Sequence, residues 1–508
     1  TNATMPLNDR VGHMVVIART RHGKTRLAEV LTTQDIRRGN NCVIVLDPKG
    51  DADYLKRIYV EAQKAGRQLI IFHLGYPELS ARYNAIGSFS RITEVATRIA
   101  SQLPGEGEAS AFKEFAWQFI NVIAVALVAM GETPDYLKIR RYITDIDALL
   151  ILYGRHWLAE HGPEDWQDEL GELQDSINIK SLPRIDQGKD PEALAMVRYL
   201  NTHATFDQVL EGLMSAFRYD REYFLKITVS IKPFLEKLTT GNIASILAPD
   251  KANTDDQRPV LEWAQAIRSN AVVYVGLDAL TDPEVASAVG ASMFSDLTSL
   301  AGHIYKHGIA PSNTNEQARK PPNIVIHGDE FSDLIGPQFK TLINKSGGAG
   351  YQLNLYTQTW SDPIAELGSE AKAGQLAGNI GTMLIMGVKE VATCEMFTKQ
   401  LPEVSVSEIM AVSGVTDNVD TTAGIGFTSN NQDRVSISRV PMISPADIVA
   451  LPKGQAFVLL RGSELWKIRI PMPSKMDDQE LPDDLGDMLQ HMRRSYTSVV
   501  DWPSYYGR

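Results

Sequence analysis

Residues Ala18 to Thr25 read A-R-T-R-H-G-K-T, and they put glycine, lysine and threonine where the phosphates of a nucleoside triphosphate need them. The stretch before, His13 to Ala18 (H-M-V-V-I-A), is apolar and β-branched as a buried strand should be, and Thr25 to Ile36 reads as the helix that follows. Strand, phosphate loop and helix in that order make a P-loop unit. Gly23 lets the backbone come close to a phosphate, while the N–H groups and dipole at the helix start favour the anion. On this reading Ala18, Arg19, Thr20, Arg21, His22, Gly23, Lys24 and Thr25 cradle ATP. Lys24 reaches its β- and γ-phosphates, and Thr25 gives a hydroxyl to Mg2+. The pattern G-x-x-x-x-G-K-[ST] is met only in its second half, because Ala18 replaces the first glycine; alanine fits there if its φ is negative. A chance G-K-T at the head of a surface helix is the alternative, and the rest of the chain weighs against it.

The chain has 508 residues, 44% of them hydrophobic, enough to bury a large core in two to four domains. Its 50 Lys and Arg stand against 62 Asp and Glu, a net charge of -12. That balance disfavours indiscriminate nucleic-acid coating, so any such contact must be local, as in a basic groove or pore. Cys42 and Cys394 lie far apart, each in or beside an apolar stretch, so they read as buried thiols rather than a disulfide or zinc site. The ten histidines show no ligand spacing. Trp117 to Met130 is the longest strongly apolar run; it is short for a bilayer span and contains Gln118 and Asn121, so it reads as a core helix. The chain reaches its phosphate loop almost at once, which leaves open a membrane segment upstream.

A second buried strand, Asn41 to Leu46, ends in Asp47-Pro48-Lys49-Gly50-Asp51, and a third, Gln68 to His73, follows a helix of about three turns. This β-α-β-α-β rhythm is that of a parallel sheet, whose ligands gather at the carboxyl ends of the strands. From Thr133 to Gly241 strand-like runs nearly vanish and apolar residues recur at helical spacing. The expectation is an inserted all-α domain at 133–241, flanked by the two parts of a nucleotide-binding domain at 1–132 and 242–473. Glu160, Glu164, Asp165, Asp168, Glu169 and Glu172 give the insertion an acidic face, read as solvated in preference to partner-binding. Further strands are expected at Ala271 to Leu277, Asn323 to His327, Leu353 to Thr357 and Thr382 to Met386, with a final hairpin from Gln455 to Ile470. Pro311 to Pro322 reads as a linker, Ser413 to Asp433 as a mobile loop, and 474–508 as a loosely ordered acidic tail.

Asn323 to Glu330 reads N-I-V-I-H-G-D-E, a buried strand ending in two acids, the Walker B signature. An acid at the end of a core strand costs desolvation unless it holds a cation or hydrogen bond, so Asp329 is expected to position Mg2+ through water. Glu330 can accept a proton from the attacking water or orient it. Capping of the next helix is the other use of two such acids. Gln358, at the tip of the strand Leu353 to Thr357, is expected to sense the γ-phosphate or lytic water, against the plainer reading of a surface glutamine.

With these residues in view the chain resembles the conjugative coupling proteins of type IV secretion systems, the TraD/TraG class, relatives of the FtsK and HerA DNA pumps. The resemblance rests on A-R-T-R-H-G-K-T-R-L-A-E, V-I-V-L-D-P-K-G-D, Arg82-Tyr83-Asn84, Phe112-Lys113-Glu114-Phe115-Ala116, V-V-Y-V-G-L-D-A-L, I-H-G-D-E-F, L-Y-T-Q-T, Ile443-Ser444-Pro445 and Leu451-Pro452-Lys453-Gly454-Gln455-Ala456. These pieces span most of the chain in family order, and it looks most like the TraD of integrative conjugative elements. The resemblance implies an α/β fold, a RecA-like P-loop nucleotide-binding domain carrying an all-α domain. It implies an anchor in the inner membrane through a segment outside this sequence, a hexameric ring with ATP between subunits, and single-stranded DNA in its pore. It also implies docking to the relaxase and other relaxosome proteins and to the secretion channel. Lys24, Thr25, Asp329, Glu330 and Gln358 carry over by position.

In one respect the sequence departs from some relatives, which place an arginine finger shortly before the sensor strand. Here the segment is Lys345-Ser346-Gly347-Gly348-Ala349-Gly350, and lysine lacks the planar fork suited to a γ-phosphate. Lys345, Lys389, Arg434 and Arg439 are basic candidates, and the trans-acting residue is unassigned. The leading expectation is an ATP-driven DNA translocase. The alternatives are a nucleotide-binding receptor that recruits protein cargo without pumping, and a related hexameric motor for chromosome segregation or repair.

Overall fold

Uninterrupted runs of Val, Ile and Leu give strands buried on both faces, the habit of parallel sheets covered by helices. In the computed structural model the strands, in chain order, are β1 Met14–Ile17, β2 Cys42–Asp47, β3 Leu69–His73, β4 Val272–Gly276, β5 Ile324–Gly328, β6 Tyr351–Thr357, β7 Thr382–Met386, β8 Glu403–Asp417, β9 Phe427–Pro441, β10 Gln455–Leu460 and β11 Glu464–Arg469. Residues 3–103, 109–183, 185–203, 206–219, 231–249, 253, 255–308, 322–335, 339–417, 427–461, 464–471, 481–482 and 484–496 are described. The expected linker at Pro311 to Pro322 lies almost wholly outside them. The chain forms two compact units, one of Thr1–Leu27 and Leu355–Met472, the other of Ala28–Asn354 and Pro473–Arg508.

In the first unit β7 is parallel to β1, with Val16 opposite Leu384, and antiparallel to β10, with Val458 opposite Leu384. β10 turns back antiparallel into β11, so the final hairpin forms as expected. On the other side of β1, Ala18 N–H donates to the Thr357 carbonyl at the end of β6 (3.1 Å). All four β1 residues are buried.

In the second unit β5, β2, β4 and β3 lie side by side, all parallel; Ile44 pairs with Ile326 and Val273, and Ile71 with Tyr274. Between β3 and β4 the described residues hold helices and no strand. Asp135, Asp145, Asp190 and Asp207 each accept a backbone N–H as N-caps there, a device worth about 1 kcal/mol apiece. The apolar run at Trp117 to Met130 belongs to the helix Ala109–Ala129, which is long and apolar enough to cross a membrane by length and composition. Its Phe119, Ile120, Ile123, Ala124 and Leu127 are buried, and it packs on the helices Thr93–Ala100, Tyr136–Thr144 and Gln208–Arg218. It is a core helix. Glu160, Glu164, Asp165, Asp168 and Glu172 are exposed, while half-buried Glu169 faces His203 at 3.2 Å. Cys42 and Cys394 are buried free thiols, and burial pushes Cys42 up to about 12.

Two expectations are corrected. Ser413 to Asp433 is no loop where it is described: β8 and β9 form a two-stranded antiparallel ribbon registered from Glu403 opposite Pro441 to Asp417 opposite Phe427. Each strand pairs the inward-facing half of the other's backbone groups, so the ribbon forms despite a Thr, Asn and Gly composition that reads as turn. The tail beyond Pro473 is not loose throughout, because Leu485–Ser495 is a helix with Met488, Leu489 and Met492 buried. That apolar face lies against β3 and the helix Ala52–Lys64, and the Met492 sulfur accepts from Ile71 N–H (3.0 Å).

Candidate nucleotide site

The phosphate loop leaves β1 at Ala18, whose φ is not positive, so alanine fits where glycine is usual. A turn from Arg19 O to His22 N (3.3 Å) and a left-handed Arg21 (φ 63°) bring the chain to Gly23, with φ 103°. Only glycine adopts that value without strain, and a Cβ would also stand 3.4 Å from Met386 Cε. The helix Lys24–Arg38 starts immediately after, and its first turn carries no acid. An α-helix start leaves N–H groups projecting beyond its end, so this end offers donors and the positive end of the dipole, with no acid in its own first turn to compete for an anion.

The surroundings are cationic. Arg19 Nε lies 2.8 Å from His22 Nε2. Burial first, then the charge of Arg19, with Lys453 and Lys389 adding to it, hold the His22 pKa below its ordinary 6.5, while a hydrogen bond with the Thr20 carbonyl works the other way. Gly454 N–H donates to the His22 carbonyl (3.2 Å), and Thr20 Oγ1 donates to Gln358 Oε1 (3.1 Å). Gln358 therefore touches the phosphate loop itself. A loop of backbone donors, buried Lys24, and neighbouring Arg19, Lys389 and Lys453 fits a polyphosphate.

In the second unit, β5 ends at Gly328, and Asp329 N–H continues the ladder to Leu46 O (3.0 Å). Glu330 follows in the left-handed region (φ 40°, ψ 52°), 5% exposed, and its side chain makes no cap to the short helix Phe331–Leu334 that it precedes. The capping reading of this acid is therefore not what the structure adopts. Glu330 Oε1 instead accepts from Lys49 Nζ at 2.7 Å. Burial works to lower the Lys49 pKa, but the hydrogen bond and charge of Glu330, with Asp329 and Asp333, outweigh it and raise the pKa above its ordinary value.

Lys49 is placed by Asp47, the buried last residue of β2. One Asp47 oxygen accepts from Lys49 N–H (3.0 Å), the other from Asp51 N–H (2.7 Å) and from the Tyr274 hydroxyl (2.7 Å). Burial raises the Asp47 pKa and the Asp329 charge adds to it; the hydrogen bonds pull it back. Gly50 (φ 69°) closes the turn against the His73 ring, where a Cβ would sit 2.8 Å from Nε2. Sequence reasoning brought attention to Asp47 to Asp51 as a strand end but missed Lys49, Asp47 and Tyr274 as members of the site. The acid after a buried run is the signal that could have found Asp47; nothing local points Lys49 at Glu330.

Thr25 in the first unit carries a hydroxyl and Asp329 in the second a carboxylate, each of the hard oxygen type that Mg2+ takes. The buried parallel strands, the phosphate loop and the acids ending β5 define a RecA-like P-loop α/β protein with an extensive helical region.

Residues 323–453 match the family described as the TraM recognition site of TraD and TraG. Among solved structures, the unbound bacterial conjugative coupling protein TrwBdeltaN70 matches with 16% identity and a TM-score of 0.52, over 92% of this chain and 87% of that one. The plasmid coupling protein TrwB in complex with ADP and Mg2+ matches with 15% identity and the same TM-score over 92% and 87%. TrwB with the non-hydrolysable GTP analogue GDPNP gives 15%, 0.52, 92% and 88%. No curated protein sequence matches the chain. The resemblance to the TraD/TraG class read from the motifs is borne out by both the family match and the shared fold.

Proposed function

We propose that this chain is the ATP-driven coupling protein of a bacterial conjugation system, linking a relaxosome to the type IV secretion channel and translocating single-stranded DNA. The observation that carries it is the phosphate loop with Gly23 at φ 103° in a chain whose residues 323–453, Asp329 and Glu330 included, match the TraD and TraG family. Bound ATP and Mg2+ supply the phosphoryl group to be transferred and the cation that neutralises its charge. Lys24 holds the β- and γ-phosphates, Thr25 and Asp329 serve the metal, Glu330 orients the attacking water, and Gln358 reports the state of the γ-phosphate to the phosphate loop through Thr20.

The same reading takes 1–132 and 242–473 as the nucleotide-binding domain and 133–241 as the all-α domain toward relaxosome proteins. It takes the working form as a hexamer at the cytoplasmic face of the inner membrane. DNA is gripped by its phosphates, so binding weakens with salt. The test is the ATPase rate of the wild type and Glu330→Gln across protein concentrations, with and without single-stranded DNA. A DNA-stimulated rate that rises faster than linearly with concentration and vanishes in the variant, with ATP binding kept, supports the ring motor. Turnover that is linear in concentration and indifferent to DNA refutes it.

A further inference from the structure

We propose that Lys49 is a positioning residue that latches the Glu330 carboxylate, so that release of this ion pair regulates hydrolysis; the inference rests on the reading of Glu330 as the group that orients water. The pair is short, 2.7 Å, and charge-assisted. It is also unequal. The Glu330 side chain is 7% exposed and that of Lys49 43% exposed, so the lysine can swing into solvent at small cost while the carboxylate stays in place.

The lysine backbone is not free to follow. Asp47 collects the N–H groups of Lys49 and Asp51 and the Tyr274 hydroxyl, and Gly50 seats the turn on His73. The moving part is therefore the side chain of Lys49, on a fixed base. Glu330 itself sits at φ 40°, a conformation that a non-glycine residue keeps only when its surroundings hold it, and the bond to Lys49 is one of the holds. A carboxylate oxygen engaged by an ammonium at hydrogen-bond distance is a poorer acceptor for water, so the latch and the lytic water compete for Glu330.

The experiment compares wild type, Lys49→Arg, Lys49→Met and Lys49→Met/Glu330→Gln by three readouts. These are the affinity of a fluorescent ATP analogue, kcat and KM for ATP without DNA, and hydrogen exchange of a peptide covering 328–334 in the absence of nucleotide. The expected result for Lys49→Met is a DNA-independent kcat up by about two- to fivefold, the size of a half-exposed ion pair, with analogue affinity and KM unchanged and faster exchange at 328–334. Lys49→Arg keeps the bridge and behaves as wild type, and the double variant does not turn over. A Lys49→Met protein whose kcat is unchanged or lower, or whose 328–334 exchange matches wild type, overturns the latch. Wild type that neither binds nor hydrolyses ATP refutes the nucleotide reading instead, and the exchange comparison then still decides whether Lys49 holds Glu330.

Discussion

Replacing Tyr274 with Phe removes a single hydroxyl from β4 and leaves the ring, which is fully buried, in place. That hydroxyl donates to Asp47 Oδ2 at 2.7 Å, beside the bond from Asp51 N–H to the same oxygen. A hydrogen bond to a charged acceptor contributes about 1.5–3 kcal/mol, and because both partners are buried little solvent screening reduces it. The loss falls on the turn Asp47 to Asp51, so its local opening should become about 10- to 150-fold more frequent, by the same energy at 1.36 kcal/mol per tenfold. Burial holds the Asp47 pKa above its ordinary 3.8, and the Tyr274 bond pulls it down. A carboxyl with a raised folded pKa binds more protons folded than unfolded between the two values, so stability falls as pH rises through that window and the cost remains at neutral pH. Without Tyr274 the folded pKa rises further. The defect is then largest where Asp47 is ionised and shrinks as acidification protonates it. Hydrogen exchange of a peptide covering 46–54, corrected for intrinsic rates and read at neutral and mildly acidic pH, measures both effects. Exchange within about twofold of wild type at neutral pH, well below the expected range, refutes the assignment of Asp47 as the anchor of this turn.

Gly23→Ala forces a Cβ onto a residue at φ 103°, a strain of about 1–3 kcal/mol; nucleotide affinity by fluorescence titration should fall at least severalfold while the far-ultraviolet circular dichroism is kept. Met492→Ala empties a site that is 2% exposed under the C-terminal helix, at about 2–5 kcal/mol, so proteolysis should cut within 473–508 sooner than in wild type. Lys389→Ala removes one of the cations that lower the His22 pKa, behind burial and Arg19; the His22 titration followed by NMR should move upward, and an unmoved titration would place Lys389 outside the field of the phosphate loop.

The strands β1 to β5 and β7 were legible because each is a short, mostly apolar run between polar turns, and a strand buried on both faces needs no alternation to announce itself, whereas β6 reads Y-Q-L-N-L-Y-T and buries Gln352 and Asn354 among its apolar residues. The acids ending β5 were legible for the converse reason, as charge where a core run predicts none. The ribbon was not: Ile409, Val435 and Ile437 are 61–73% exposed, so no apolar face is imposed on the sequence, and what specifies each strand is its partner. The C-terminal helix was masked by the acids that precede it in sequence, Asp477, Asp478, Glu480, Asp483 and Asp484, although Met488, Leu489 and Met492 stand at helical spacing. Lys49 was hidden differently, since its partner lies 281 residues away and periodicity carries no record of such a pairing.

The four basic residues left open as the trans-acting group do not stand equally. Lys389 already lowers the proton affinity of His22 in its own unit, so its charge belongs to the phosphate loop of the same chain. Lys345 is exposed at the end of the helix Phe339–Lys345, where Gly347 and Gly348 follow and the Tyr305 ring lies 3.0 Å from the place of a Gly348 Cβ. Arg434 and Arg439 are carried on the exposed β9, opposite Met410 and Ser405. Positions of opposite parity on a strand point to opposite faces, so a single neighbouring surface can meet one of these arginines and not both. Arginine supplies the planar fork that lysine lacks, so of the four candidates only Arg434 and Arg439 carry the group that a finger needs.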